Sequence, residues 1–182
     1  MMNTFVVYVE NKPGVLTRVA SLFRRRAFNI DSLTVGRTEK PEVSRMTITV
    51  DADRDQARRI EASLYKLVNV LLVENITNEA AIVRDLAMIK VAATHEARSH
   101  VLELARVFRA RVVDVAPESL TMEITGVEDK IDGLLEVLRP YGVLEMVRTG
   151  IVAMRRGKKP SAAASAMSVL PQAADDEVSY SA

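Results

Sequence analysis

The chain has 182 residues, 48% of them hydrophobic, enough for one ordinary domain or two small ones with modest cores. Its 25 Lys and Arg against 24 Asp and Glu leave a net charge of +1, too little for the long-range field that concentrates nucleic acid or anionic lipid, so no nucleic acid partner is expected. The lack of cysteine excludes a disulfide framework, a thiolate metal site and a cysteine nucleophile, and suits a reducing compartment. With neither the basic region and apolar run of a signal peptide nor an apolar segment able to span a bilayer, the expectation is a soluble, cytoplasmic protein that needs no membrane.

Residues 4–10, Thr-Phe-Val-Val-Tyr-Val-Glu, are β-branched and aromatic, and the turn signal Asn11-Lys12-Pro13-Gly14 stops them. From Val15 the spacing becomes helical, predicting Val15, Leu16, Val19, Leu22 and Phe23 inward and Arg18, Arg24, Arg25 and Arg26 outward. Ile30 to Val35 alternates again, a loop follows around Lys40-Pro41-Glu42, and Met46, Ile48 and Val50 alternate with Thr47, Thr49 and Asp51. Asp53 is the natural N-cap of a helix carrying Ala57, Ile60 and Leu64 inward, and Val70 to Val73 closes a βαββαβ unit.

The pattern recurs from about residue 84. A strand passes through Met88 to Val91, a helix carries Val101, Leu102, Ala105 and Phe108, and strands follow at Val112-Val113 and Leu120 to Thr125. A second helix with Ile131, Leu134, Leu135 and Leu138 ends before Pro140, and a last strand runs from about Leu144 to Met154. The predicted fold class is α+β, two tandem ferredoxin-like βαββαβ modules over residues 1–78 and 79–157, each with its helices on one face of an antiparallel sheet. The other face and an edge strand are then expected to stay available for a second copy, making a dimer. From Arg155 the composition turns to Ser, Ala, Pro and charge, so 158–182 is read as a disordered tail.

Catalytic chemistry is hard to find. His95 and His100 are five apart, which puts them on different sides of a helix rather than on one metal-binding face. No GxGxxG, HExxH or phosphate-loop pattern occurs, and the carboxylates are scattered where solvated charge is their usual role. The expected catalytic and metal sites are none. A four-stranded sheet with two helices is also an RNA-binding architecture, but the third strand, Arg45 to Val50, has no aromatic residue on which a base could stack, so Phe5 and Tyr8 are read as packing. The basic run Arg155 to Lys159 is read as a solvated linker.

The corner at Asn11 to Leu16 has two readings. A helix N-terminus offers unpaired amides and about half a positive charge, Gly14 has no side chain to hold a ligand away from them, and Asn11 has both a donor and an acceptor for an amino acid head group. The plain alternative is that Asn11 caps the helix while Pro13 and Gly14 shape the turn.

A longer signature extends over the chain. Asn-x-x-Gly-x-Leu-x-Arg-Val at 11–19, Asn-Ile-x-Ser-Leu-Thr-Val at 29–35, Ser-Arg-Met-Thr-Ile at 44–48, and downstream "KLVNVLLV" and "FRARVVDVAPESLTMEITG" together resemble the regulatory (small) subunit of acetolactate synthase, with its N-terminal ACT domain. The likeness covers roughly residues 3–157. It implies an ACT domain followed by an ACT-like C-terminal domain, a homodimer through the ACT domain, and valine as allosteric effector between two ACT domains whose edge strands pair. Carried over by residue, the implied valine site is Asn11, Gly14, Val15, Leu16, Asn29 and Ile30. The resemblance further implies a non-catalytic chain that activates a separate catalytic (large) subunit and confers feedback inhibition on branched-chain amino acid biosynthesis. Thiamine diphosphate, Mg2+ and FAD are then expected on that partner, with no cofactor on this chain. An amino-acid-sensing ACT module serving a different enzyme is the alternative.

An apolar wall including Leu16 and Ile30 would favour an isopropyl group at about 0.8 kcal/mol per buried methylene. Leucine and isoleucine differ from valine by one methylene, worth only about 1–3 kcal/mol, and Gly36 leaves room for them. Ala27 stands where the similar proteins usually have Gly, so a left-handed residue there would cost about 1–2 kcal/mol.

Overall fold

The β-branched opening segment forms β1, Met2–Glu10, at the centre of the first sheet of this computed structural model, which describes residues 1–157. The expected tail, 158–182, lies outside the described residues. After β1 come α1 (Val15–Arg25), β2 (Ile30–Arg37), β3 (Val43–Asp51), α2 (Arg54–Leu64) and β4 (Val70–Asn75), giving an antiparallel sheet ordered β2-β3-β1-β4. Phe5, Val7 and Val9 of β1, Met46, Ile48 and Val50 of β3 and Val73 of β4 meet Val15, Val19, Leu22 and Phe23 of α1 and Ala57, Ile60 and Leu64 of α2 in one core. The predicted inward positions therefore fill it, save Leu16, which lies 100° around the helix from Val15 and is 45% exposed.

The second module repeats the plan with β5 (Ala81–Ala92), α3 (Arg98–Val107), β6 (Arg111–Val115), β7 (Ser119–Gly126), α4 (Glu128–Leu138), a 3-10 turn at Arg139–Tyr141, and β8 (Val143–Arg148). Its sheet is ordered β6-β7-β5-β8, and Ile89, Val91, Leu120, Met122 and Ile124 pack against Val101, Ala105, Ile131, Leu134 and Leu138. Two antiparallel sheets, each with its helix pair, confirm the tandem ferredoxin-like fold class.

Helix ends follow local chemistry. Asp53 Oδ1 accepts from the Gln56 amide at 2.8 Å while Gln56 Oε1 accepts from the Asp53 amide at 2.9 Å, a reciprocal cap for α2. Ala27 has φ +55°, and the Phe28 amide donates to Phe23 O at 3.1 Å. Arg109 has the same φ after α3, where the Ala110 amide donates to Ala105 O at 2.8 Å. Both modules thus close their first helix with a left-handed residue and no glycine.

The predicted final strand is two strands. β8 ends at Arg148, the chain bends at Thr149-Gly150-Ile151 with Gly150 at φ +89°, and β9 runs Val152–Arg155. The reason is that β5 starts earlier than the alternation suggests: its residues 81–84 pair with β9, and its residues 87–91 pair with β8. The β5–β9 ribbon then lies across the face of the first sheet opposite its helices, where Val6 and Ile76 pack with Ala153. Arg45 donates to the Ala153 carbonyl there. The face expected to remain free for a second copy is therefore covered by the chain itself, and Thr47 and Thr49 on it are only 2% and 1% exposed. The outer edge of β2 has no strand beside it among the described residues. No helix among them is long and apolar enough to cross a membrane.

Candidate functional site

The corner between β1 and α1 is shaped by Gly14, whose φ of +80° an L side chain rarely adopts and whose missing Cβ would meet nothing within 4 Å. Asn11, Lys12, Pro13, Gly14 and Leu16 are all exposed, so the helix mouth opens to solvent. Asn11 does not cap the helix: its Nδ2 donates to the Pro41 carbonyl at 2.8 Å and its amide to Glu42 O at 2.7 Å, pinning the corner to the β2–β3 loop. The Val15 amide reaches Lys12 O at 3.4 Å, whereas the Leu16 and Thr17 amides have no backbone acceptor among the described residues. Those two amides, with the positive end of α1 behind them, can take a carboxylate.

A polar network braces the corner from the α2–β4 side. Arg18 donates to Asn69 Oδ1 at 2.6 Å, Asn69 Nδ2 donates to Glu10 Oε2 at 2.6 Å, and Lys12 lies 3.1 Å from Glu10. The hydrogen bond from Asn69, then that from Lys12 and its charge, hold the Glu10 carboxyl below the usual carboxylate range against the opposing effect of desolvation. Sequence reasoning missed this network. Its signal is the Arg18 of the Asn-x-x-Gly-x-Leu-x-Arg run, which periodicity alone marks as a solvated charge.

Asn29 and Ile30 are elsewhere. Ile30 faces Val50, which also faces Asn3 at the start of β1, whereas the corner follows Glu10, which faces Val43. At about 3.3 Å per residue the two groups are separated by about 23 Å of sheet, so one chain does not bring the six residues together. Asn29 is exposed, and Ile30 packs partly against the core of its own module. Immediately after it the register of β2 shifts, placing Asp31 in a bulge where its Oδ2 accepts from Thr49 Oγ1 at 3.2 Å. His95 and His100 are both exposed, and no group of three or more His, Asp or Glu among the described residues could hold a metal ion.

Two ferredoxin-like modules in tandem, the first with an open glycine corner at its first helix, define an ACT-type architecture. The family signature described as an AHAS small subunit-like ACT domain matches residues 5–72, and that described as the small subunit of acetolactate synthase matches residues 84–157. Curated relatives include a probable acetolactate synthase small subunit of Archaeoglobus fulgidus, 50% identical over 159 residues, covering 87% of this chain and 99% of the relative. The acetolactate synthase small subunit of Mycobacterium bovis is 48% identical over 157 residues, covering 86% and 94%. Among solved structures, the acetolactate synthase small subunit from Thermotoga maritima superposes with a TM-score of 0.81 at 40% identity, covering 86% of this chain and 98% of that one. The chain belongs to the acetolactate synthase small-subunit family.

Proposed function

We propose that this chain is the regulatory subunit that activates the catalytic subunit of acetolactate synthase and confers feedback inhibition by valine, in the cytoplasm and without catalysing a step itself. Thiamine diphosphate, Mg2+ and FAD belong to the partner in this reading. The observation that carries it is the open mouth at Gly14, which has open space where a side chain would stand, beside the Leu16 and Thr17 amides that have no backbone acceptor among the described residues.

The distance between the corner and Asn29 calls for a second copy. A twofold axis that pairs two β2 edges must run them antiparallel, which carries the partner subunit's Asn29 and Ile30 toward the Asn11 corner. Val35 on that edge is 42% exposed and would be covered by the pairing. Each seam then holds an amino acid between one subunit's helix mouth and the other's strand start, with Leu16 as apolar wall. For valine to regulate, it must bind the inhibited arrangement more tightly than the active one, and the catalytic subunit must then alter valine affinity by the same factor.

Gly14→Asp tests the site. It sets a carboxylate among the amides, so calorimetry is expected to show valine binding lost while activation of the catalytic subunit persists. Unaltered valine affinity in a folded Gly14→Asp protein would overturn the assignment.

A further inference from the structure

We propose that β2 relays valine occupancy to the second module through Ser32 and the bend at Thr149–Ile151, an inference that rests on the valine reading above. The two ends of this relay share one strand. Asn29 and Ile30 open β2, and the bulge at Asp31 resets its alternation. Ile30 and Leu33 accordingly pack toward the helices, while the Ile151 amide donates to Ser32 Oγ at 2.9 Å on the opposite face. Without the bulge, Ser32 would point the same way as Ile30 and could not meet the second module.

The contact is close. A Cβ on Gly150 would fall 2.8 Å from Ser32 Oγ and 2.9 Å from Thr34 Oγ1, so the bend approaches β2 as only a glycine can. On its other side the bend is held by Asp85, a 5%-exposed residue of β5 whose Oδ1 accepts from the Gly150 amide and from Thr149 Oγ1, both at 3.1 Å. The preceding residue, Arg148, donates to Asp132 Oδ1 and lies 3.8 Å from Glu128, both on α4. One bend therefore touches β2 of the first module, β5 at the entry to the second sheet, and α4. A cavity of about 360 Å3 bordered by Asp31, Ser32, Asp85, Arg148 and Gly150 gives this junction room for a second arrangement. The bulge interrupts the ladder between Ile30 and Ser32, so this stretch of β2 is not held to β3 residue by residue and can move as one piece. Valine drawing on Asn29 and Ile30 displaces Ser32, and the Ile151 hydrogen bond is kept in one state and lost in the other.

The test uses the dimer reconstituted with its catalytic subunit. Ser32→Ala deletes the acceptor, and Gly150→Ala drives a methyl into Ser32 and Thr34. Circular dichroism and thermal unfolding identify the folded variants. The expected result for Ser32→Ala is valine binding within about threefold of the unmodified chain and activation preserved, with sensitivity of the holoenzyme to valine reduced at least about fivefold. The catalytic subunit should correspondingly cease to alter valine affinity, which a merely structural role for Ser32 would not produce. Valine binding intact with inhibition unchanged in Ser32→Ala would overturn the relay alone. Failure of the unmodified chain to bind valine would overturn the site reading and the relay with it.

Discussion

The guanidinium of Arg155, on β9, lies 3.2 Å from the carboxylate of Glu74, on β4, a side chain only 7% exposed. Arg155 reaches Glu79 as well, at 2.6 Å, so one cation of the second module neutralises two carboxylates beside the first sheet. The pair stands where the β5–β9 ribbon crosses that sheet, and it fixes the ribbon's end electrostatically while Ala153 fixes it by packing.

Arg155→Ala should therefore leave Glu74 desolvated without a counter-charge. Breaking a fully buried pair costs about 3–5 kcal/mol, and because Arg155 is itself 28% exposed the expected loss is about 1–3 kcal/mol in urea unfolding. Adding Glu74→Gln to Arg155→Ala should recover part of that loss. A double variant less stable than Arg155→Ala alone would contradict this account.

A site split between subunits makes a distinct prediction for mixed dimers. Asn11→Ala and Asn29→Ala homodimers should both bind valine poorly, since every seam lacks one partner. A dimer with one chain of each kind has one seam that lacks both and one that lacks neither. Calorimetry on that heterodimer should find one valine per dimer at near-normal affinity. Two equally weakened sites would show that each chain binds on its own.

Left-handed residues other than glycine carry strain that substitution can relieve. Ala27→Gly and Arg109→Gly remove about 1–2 kcal/mol of steric cost and add about 0.4–1 kcal/mol of unfolded-state entropy, so each should stabilise by about 0.5–1 kcal/mol. The denaturant midpoint should rise at constant slope, and the two effects should add because the residues sit in different modules.

Glu10 predicts a pH dependence whose sign is fixed by its lowered pKa. A carboxyl held below its ordinary value of 4.5 contributes stability that is fully present above that value and is lost as pH falls through the folded-state value. The melting-temperature difference between the unmodified chain and Glu10→Gln should hold steady from neutrality and shrink on acidification toward about pH 3. A difference that stays constant over that range would remove the Asn69 and Lys12 contacts as its cause.

Much of the architecture was legible because short-range pattern decides it. Alternation at Met46, Ile48 and Val50 and helical spacing at Val19, Leu22 and Phe23 place those residues in the core, and Asp53 caps α2 as its position suggests. Pattern says which way a side chain points, not what arrives to cover it. Thr47 and Thr49 read as solvent-facing, and a ribbon whose two strands lie about thirty-five and about a hundred positions further along the chain buries them. The break at Gly150 was likewise invisible, since the early start of β5 that imposes it and the Ser32 and Asp85 contacts that hold it lie far off in sequence. At the site, the corner's shape followed from Pro13 and Gly14, but Asn11 turns to the Pro41 carbonyl rather than to the helix. The separation of Asn11 from Asn29 emerges only once β1 and β2 are known to flank β3.

The twelve-residue strand β5 belongs to two sheets at once, pairing with β9 over the first module and with β7 and β8 in the second. Severing the chain just before Ala81 would yield an amino-terminal piece with Val6, Ile76 and two threonines wetted, and a carboxy-terminal piece with a ribbon that has lost its seat. The repeat in the sequence is thus not a repeat in autonomy: heating should melt both halves in a single cooperative transition.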